Sequence, residues 1–236
     1  MKKHWRFIVI YVFVAAGLIF TAVSGSKLIT TISENSSMEN RTCIIIDAGH
    51  GGVDGGATSC TGILESKMNL DIALRLDDLC HLLGFDTKMI RKTDISIHTE
   101  GSSIAEKKIS DLRQRVKIVN ETENAILISI HQNYFSESKY SGTQFFYANT
   151  EDSKELAKQM QDNIKLHLAT SNTRRPKAAN GVYLMQHVDC TAVLVECGFI
   201  SNPEEEAKLK DKAYQNKLCS VIVTTLSNYL DPKDFA

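Results

Sequence analysis

The sequence lacks the features that would place it in several common classes of protein. It contains no CxxC pair, which argues against a thioredoxin-like redox site and against a zinc site built from cysteines. It contains no HExxH segment, which removes the commonest class of zinc proteases. The formal net charge is -1 and the charged residues are scattered, so no basic field is available to neutralise phosphates. Nucleic acid is therefore not an expected partner.

The overall composition is that of an ordinary globular protein. The 236 residues are 43% hydrophobic and 23% charged, with only 3 prolines and 13 glycines. The six cysteines are an even number, and both disulfide bonds and small buried thiols would account for them: Cys43, Cys60, Cys80, Cys190, Cys197 and Cys219. With the distinctive amino-terminal segment set aside, the remaining length suits one domain with a single core.

The amino terminus carries a membrane-targeting pattern. Basic residues at positions 2–6 precede an uncharged apolar run of 17 residues at 7–23. The basic flank would stay in the cytoplasm while the segment contacts the membrane, so the rest of the chain is expected on the extracytoplasmic side, either membrane-anchored or secreted. Because Ala22 and Ser24 are small enough for a signal-peptidase site, residues 1–23 are interpreted as a signal peptide or a membrane anchor.

The rest of the chain predicts a polar linker at 24–41 and a folded domain at 42–236. Short runs of branched apolar residues alternate with longer stretches of helical period, which is the pattern of an α/β fold. A single twisted, mostly parallel sheet of about six strands flanked by helices is expected, with strands at Cys43–Asp47, Phe85–Ile90, Ala125–Ile130, Gln144–Ala148, Val182–Met185 and Ala192–Val195. Helices are predicted at Glu65–Leu83, Ser103–Asn120, Ser153–Leu168 and Asp211–Tyr229.

Three of the apolar runs end in a polar residue suited to metal binding or proton transfer. His50 follows CIIIDAG, His131 follows AILISI and Glu196 follows AVLV. Because the carboxyl ends of parallel strands meet at one edge of a sheet, these side chains are expected to lie in one crevice. A single histidine after a strand is more often a hydrogen-bonded structural residue, and that alternative applies to each of the two taken alone. A phosphate-binding loop fits GHGGVDGG poorly, because neither GxGxxG nor a loop ending in Gly-Lys-Ser/Thr is present.

Glu65 supplies a third candidate ligand. It begins the first predicted helix, fifteen residues after His50, so the intervening glycine-rich loop can return its carboxylate to the strand ends. A surface glutamate favoured by the helix dipole is the alternative. Two imidazoles and one carboxylate, from His50, His131 and Glu65, are the protein ligands of a catalytic Zn²⁺ that keeps a fourth position for water. One zinc ion per chain is therefore predicted.

Glu196 is the candidate catalytic acid and base. It follows an apolar strand and would be partly desolvated, so its pKa would rise towards the range useful for taking and returning a proton. A structural salt bridge is the alternative. Asp47 lies close to His50 and is assigned either to orienting an imidazole or to capping the turn.

Four separated segments resemble the zinc-dependent N-acetylmuramoyl-L-alanine amidases of the bacterial cell wall. They are IIIDAGHGGVDGGA, the following Glu65, RQRVKIVNETENAILISIHQN and AVLVECGFISNPEEEAKL, and the resemblance runs from about Cys43 to the carboxyl end. It implies hydrolysis of the amide that joins the lactyl group of N-acetylmuramic acid to L-alanine in peptidoglycan. It also implies zinc ligands at His50, Glu65 and His131 and a catalytic glutamate at Glu196.

Some positions depart from the commonest family pattern. Gln132-Asn133-Tyr134 stands where small residues are usual, and Cys190-Thr191 stands where proline is frequent. Neither departure falls on an implied ligand. With a short membrane segment and no wall-binding repeat, the chain is similar to compact spore-cortex amidases of endospore formers, in which peptide removal precedes muramic-lactam formation. An activating partner protein is left open, because ligands on loops and helix ends need a well-ordered site.

Two other functions stay open at this point, namely a non-catalytic peptidoglycan-binding module and a zinc carboxypeptidase acting on the stem peptide. Glu196 is the discriminating residue, because its loss is an obvious route to a module that binds without cutting. Two segments are predicted either to shape a substrate groove or to be solvated loops. The first is Asn133–Gly142, whose Tyr134 and Tyr140 could stack on sugars. The second is Asn172–Lys177, whose Arg174, Arg175 and Lys177 could pair with stem-peptide carboxylates.

Overall fold

A computed structural model describes residues 41–230 of the chain. The predicted signal peptide or anchor at 1–23, and all but the last residue of the predicted linker at 24–41, lie outside the described residues. Among the helices of the described part, none is long and apolar enough to cross a membrane.

The described residues form one six-stranded sheet with the order β2-β1-β3-β6-β4-β5. The strands are β1 (Cys43–Ala48), β2 (Asp86–Met89), β3 (Ala125–Asn133), β4 (Gln144–Tyr147), β5 (Lys177–Ala178) and β6 (Thr191–Phe199). β1 pairs in parallel with β2 and β3, and β3 pairs in parallel with β6. Only β4 runs antiparallel to its neighbour β6, while β5 continues in parallel with β4. The predicted mostly parallel α/β sheet is confirmed.

Six helices surround this sheet in the described part: α1 (Glu65–Leu82), α2 (Ile104–Asn120), α3 (Ser153–His167), α4 (Tyr183–His187), α5 (Pro203–Lys210) and α6 (Lys212–Tyr229). The four predicted helices are confirmed to within one residue at each end. Local sequence explains several of the starts. Ser103 and Glu106 form a capping box at α2, and the side chains of Asn202 and Asp211 cap α5 and α6.

One predicted strand is wrong, because Val182–Met185 falls largely in helix α4. Leu184 and Met185 are adjacent in sequence and both buried, whereas a strand would direct them to opposite faces of the sheet. Gly181, at φ +83°, turns the chain just before the helix. The sixth strand is instead β5, a two-residue exposed edge strand, which no hydrophobic pattern in the sequence predicts.

Hydrophobic clusters cover both faces of the sheet. Alternate residues of β1 divide between them, with Ile44 and Ile46 in one cluster and Ile45 in the other. Helices α1, α3 and α6 contribute to the first cluster, and α2 and α4 contribute to the second. Because both faces are closed in this way, the polar residues that follow the strands meet at the carboxyl-end edge. All six cysteines are free thiols.

Candidate metal centre

Three side chains from separate elements converge at the carboxyl-end edge of the sheet. His50 follows β1, Glu65 begins α1 and His131 lies near the end of β3, and one donor atom from each lies within 4.8 Å of the others. His50 Nε2 is 3.3 Å from Glu65 Oε2, and His131 Nδ1 is 3.1 Å from Glu65 Oε1. The fold thus brings together the three residues that the sequence predicted as ligands. Their donor set is that of a catalytic zinc site.

The charges around this cluster favour a cation. Burial opposes protonation of His50, but hydrogen bonds with Asp54 and Glu65 outweigh it and raise the pKa of His50 to about 9. Burial also opposes ionisation of Glu65, yet hydrogen bonds with His131 and His50 hold the pKa of Glu65 well below its usual range. An ionised carboxylate enclosed between two imidazoles is an environment that stabilises positive charge.

Asp54, rather than Asp47, orients an imidazole. Asp54 Oδ2 lies 2.8 Å from His50 Nδ1, which leaves Nε2 of the same ring directed at the other donors. A carboxylate in this position fixes the tautomer and the orientation of a metal-binding histidine. The interpretation that Asp47 orients an imidazole is wrong, because its carboxylate pairs with Arg115 and accepts a hydrogen bond from Ser129.

Two buried arginines hold the turn that carries His50. Arg115 of α2 donates to the carbonyl of Ala48 at 3.0 Å and to the carbonyl of His50 at 2.7 Å. Arg91 donates to the carbonyl of Ala48 at 2.8 Å and to the carbonyl of Gly49 at 3.0 Å. Both arginines are only 2% exposed. His50 adopts φ +62°, which is unfavourable for a residue with a side chain, so these bonds fix a strained turn.

Two glycines allow the backbone to approach the candidate ligands. A Cβ atom at Gly49 would lie 2.1 Å from Nε2 of His131, which is far inside van der Waals contact. At Gly56, where φ is +67°, a Cβ atom would lie 2.6 Å from Oε2 of Glu65. Side chains at either position would displace a ligand, which explains part of the glycine richness of this loop.

Backbone and amide groups hold the carboxylate of Glu65, which is 4% exposed. The backbone N–H of Ala57 donates to Oε2 at 3.0 Å, and the backbone N–H of Gln132 donates to Oε1 at 3.2 Å. The Asn69 side chain donates to Oε1 at 3.3 Å and accepts a bond of 3.2 Å from the Gln132 side chain. Gln132, a departure from the commonest family pattern, therefore supports a candidate ligand.

Glu196 lies directly beside His131, because the two residues are paired in the register of β3 and β6. Its Oε2 atom is enclosed and has no hydrogen-bond partner among the described residues. Burial raises the pKa of Glu196 to about 7, an effect that the nearby His131 reduces and the charge of Glu65 reinforces. An enclosed carboxylate oxygen without a partner is costly, so its position beside the three converging side chains makes Glu196 a candidate for proton transfer.

Comparison with known proteins assigns a family to this arrangement. The sequence profile described as N-acetylmuramoyl-L-alanine amidase matches residues 44–228. The chain belongs to this amidase family. It is similar to the germination-specific N-acetylmuramoyl-L-alanine amidase of Bacillus subtilis (strain 168), at 38% identity over 192 residues that cover 80% of this chain and 80% of the relative.

Solved structures of amidases have the same fold. The CwlD amidase from Clostridioides difficile, solved in complex with the GerS lipoprotein, is 35% identical, with a TM-score of 0.77 over 80% of this chain and 98% of that chain. An N-acetylmuramoyl-L-alanine amidase from Clostridium difficile 630 is 30% identical, with a TM-score of 0.71 over 82% of this chain and 98% of that chain. The predicted family and the predicted α/β fold are confirmed.

In this amidase a small cavity of about 80 Å³ adjoins the converging side chains. His50 and His131 form part of its wall, and the apolar side chains of Val182, Leu184 and Leu194 form another part. The candidate metal centre therefore has a partly apolar border.

The two predicted groove segments border the same larger groove at the edge of the sheet, the first through residues within 139–142 and the second through residues within 172–177. In the first segment, Tyr134 is 53% exposed, whereas Tyr140 packs edge-on against Phe135 and stacks on Phe199. Neither segment contributes a donor atom to the metal centre.

The sequence reasoning missed the residues that support the ligands. Asp54 stands four residues after His50 within the glycine-rich loop, and only its spacing could have indicated it. Asp111 and Arg115 occupy the buried stripe of α2 in line with Val119, at steps of four residues. A charged pair on the apolar side of a helix is the signal that could have identified them.

Proposed function

We propose that this amidase hydrolyses the amide bond between N-acetylmuramic acid and L-alanine in peptidoglycan and so releases stem peptides. Family membership over residues 44–228 supports the reaction class. The observation that carries the proposal to this chain is the enclosed, unpartnered Oε2 of Glu196 beside three converging donor atoms. A module that only binds the wall would have no use for so costly a group.

Zinc is the cation that the donor set fits best. His50 would contribute Nε2, His131 would contribute Nδ1 and Glu65 would contribute its carboxylate. The metal, when bound, acts as a Lewis acid that lowers the pKa of a water molecule to about 7. Asp54 keeps the His50 ring in the required tautomer, and Asn69 and Gln132 keep the carboxylate of Glu65 in place.

Glu196 carries the proton. Its Oε2 takes a proton from the attacking water as the new bond to the carbonyl carbon forms, and then delivers it to the amide nitrogen as the carbon–nitrogen bond breaks. L-Alanine leaves as a free amine, and the lactyl group keeps a carboxylate. Burial raises the pKa of Glu196, which favours a carboxyl group that can hold the proton between the two halves of this transfer.

The setting that we propose is the extracytoplasmic wall of a spore-forming cell. The cell-wall substrate is consistent with an extracytoplasmic protein, and the segment 1–23 would deliver or anchor the domain there. The relative from Bacillus subtilis is named as germination-specific, which supports action on spore cortex peptidoglycan. The amidase from Clostridioides difficile was solved with a lipoprotein, which supports an activating partner for this chain as well.

The test is turnover of a soluble muramoyl-L-alanyl peptide by the purified chain. A chelator should abolish turnover and added zinc should restore it. Glu196→Gln should retain zinc but lose turnover by about 10²–10⁴-fold, because the proton carrier is gone. Glu155→Gln, which neutralises an exposed glutamate of α3, serves as the matched control. Full activity of Glu196→Gln, or turnover that survives metal removal, would contradict the proposal.

A further inference from the structure

A groove of about 1190 Å³ lies at the sheet edge formed by β4 and β5. Gln144, in its lining, is paired directly with Glu196 across β4 and β6. Side chains at directly opposed positions of an antiparallel pair point to the same face. The groove therefore begins one strand away from the proposed proton carrier and is larger than a single sugar or amino acid requires.

Hydrogen bonds between three segments give the groove a fixed shape. The side chain of Asn172 donates to the carbonyl of Thr143 at 2.8 Å. Arg174 Nε donates to the carbonyl of Ser141 at 2.7 Å. Glu205 of α5 accepts a bond of 2.8 Å from the backbone N–H of Gly142. Because these bonds tie the loops to each other and to a helix, the groove is formed before any ligand arrives.

Arg174 forms part of the wall of the groove, and contacts with the protein already engage its guanidinium. Its Nη1 donates to Oε1 of Gln144 at 3.0 Å, and its guanidinium carbon lies 4.4 Å from the centre of the Phe199 ring. The contact with the ring is a cation–π interaction. One face and two nitrogen atoms of this guanidinium are thus engaged with the protein.

The lining of the groove carries a net positive charge. Four exposed cations line it and form no ion pair with any described residue: Arg175, Lys177, Lys208 and Lys217. Two of the three acidic residues in the lining are engaged with backbone groups. Glu205 accepts from Gly142 and Phe199, and Asp211 caps α6 through the N–H of Ala213. These bonds leave the carboxylates charged, but the lining holds six Lys and Arg side chains against its three acidic residues.

We propose that this groove binds the acidic stem peptide on the alanine side of the scissile amide, through its carboxylates. The inference rests on the proposed function. Glycan sugars offer mainly hydroxyl groups and amides, whereas a stem peptide offers carboxylates that match Arg175 and Lys177 of the segment 172–177. An extended peptide that starts at the amide beside Glu196 reaches the groove across one strand of the sheet.

The test compares binding of a free acidic stem peptide with binding of the same peptide after amidation of its carboxylates, by calorimetry on the full chain. The double substitution Arg175→Gln with Lys177→Gln should weaken binding of the acidic peptide about fivefold, since each exposed charge pair contributes modestly. It should leave the weak binding of the amidated peptide unchanged. Lys154→Gln with Lys158→Gln, two exposed cations of α3 outside the groove, removes the same charge and should change neither.

Equal loss in the two double variants, or equal binding of the acidic and amidated peptides, would overturn the groove assignment. Competition by inorganic phosphate as strong as that by the acidic peptide would also overturn it, because the groove would then recognise any anion. The outcomes for the groove and for the reaction are separable. A chain that binds the acidic peptide but leaves the muramoyl amide intact supports the groove and contradicts the proposed function. A chain that cuts the amide without preference for the acidic peptide supports the proposed function and contradicts the groove assignment.

Discussion

Replacing Arg115 with lysine tests whether the buried arginines prepare His50 for metal binding. Arg115→Lys keeps a positive charge that can still reach Asp47, so the buried carboxylate is not left alone. It removes the guanidinium, which donates to the carbonyl of Ala48 and to the carbonyl of His50 at the same time. Truncation to alanine would be less informative, because an unpaired buried charge costs about 3–5 kcal/mol and threatens the fold.

The expected magnitude follows from the backbone of His50. Its φ of +62° costs about 1–2 kcal/mol for a residue with a side chain, and the arginine bonds hold it there. Without them the turn relaxes, and metal binding has to restore the strained conformation. Zinc affinity should therefore fall about 5- to 30-fold, from the same 1–2 kcal/mol. Loss of the bond to the His50 carbonyl should also lower the free energy of unfolding by about 1.5–3 kcal/mol.

Competition with a chromophoric chelator measures the zinc affinity, and urea denaturation of the chelator-treated chain measures the fold separately. Arg113→Lys is the matched control on the same helix, because Arg113 is 60% exposed and its ion pair within residues 41–230 is a long one, 3.7 Å from Glu100. A folded Arg115→Lys chain with the zinc affinity of the wild type would refute the reasoning, since the arginine would then serve stability alone.

Three further outcomes follow from the same geometry. Gly49→Ala should abolish zinc binding in the chelator assay, because its Cβ would occupy the position of the His131 ring. Asp54→Asn should weaken zinc binding about 10- to 100-fold in that assay, because the carboxylate that orients His50 is lost. Burial opposes ionisation of Asp47, but the charge of its buried arginine partner holds its pKa below the usual range. Its ionised form therefore stabilises the fold above the unfolded pKa of about 4, and this contribution is lost as the pH falls through the lower folded pKa. The difference in unfolding free energy between the wild type and Asp47→Asn, measured by urea denaturation, should shrink below about pH 4.

Each of these has its own control or contrary result. Gly55→Ala, where the Cβ would meet only the flexible Leu64 side chain, should keep zinc binding. Lys108→Met removes the lysine that pairs with Asp54 at 3.0 Å, and should leave the affinity within a few-fold of wild type. For Asp47, a stability difference that stays constant from about pH 7 to about pH 3 would contradict the sign of its pKa shift.

The parts of the fold that follow local rules were predictable. The runs before His50, His131 and Glu196 are buried strands because they consist of branched apolar residues, and their parallel pairing places the three side chains at one edge. Helix bounds followed from the apolar period, and Asp211, the predicted first residue of the last helix, is its cap in the structure.

Other parts depend on contacts between distant residues. The carboxylate of Asp47 in β1 pairs with Arg115 in α2, and no spacing in the sequence predicts that pair. The segment Val182–Met185 has apolar residues typical of a strand, but burial of adjacent side chains against the sheet selects a short helix. β5 exists only because Lys177 and Ala178 meet the edge of β4.

The most direct test of the central claim is the identity of the bond that is cut. Purified peptidoglycan digested by the chain with zinc should yield, by mass analysis, intact stem peptides that begin with a free L-alanine amino group. The remaining glycan strands should carry free lactyl carboxylates. Peptides shortened by internal cuts would indicate a carboxypeptidase, and an uncut polymer would indicate a binding module. Either result would contradict the assignment of the zinc centre and Glu196 to muramoyl-amide hydrolysis.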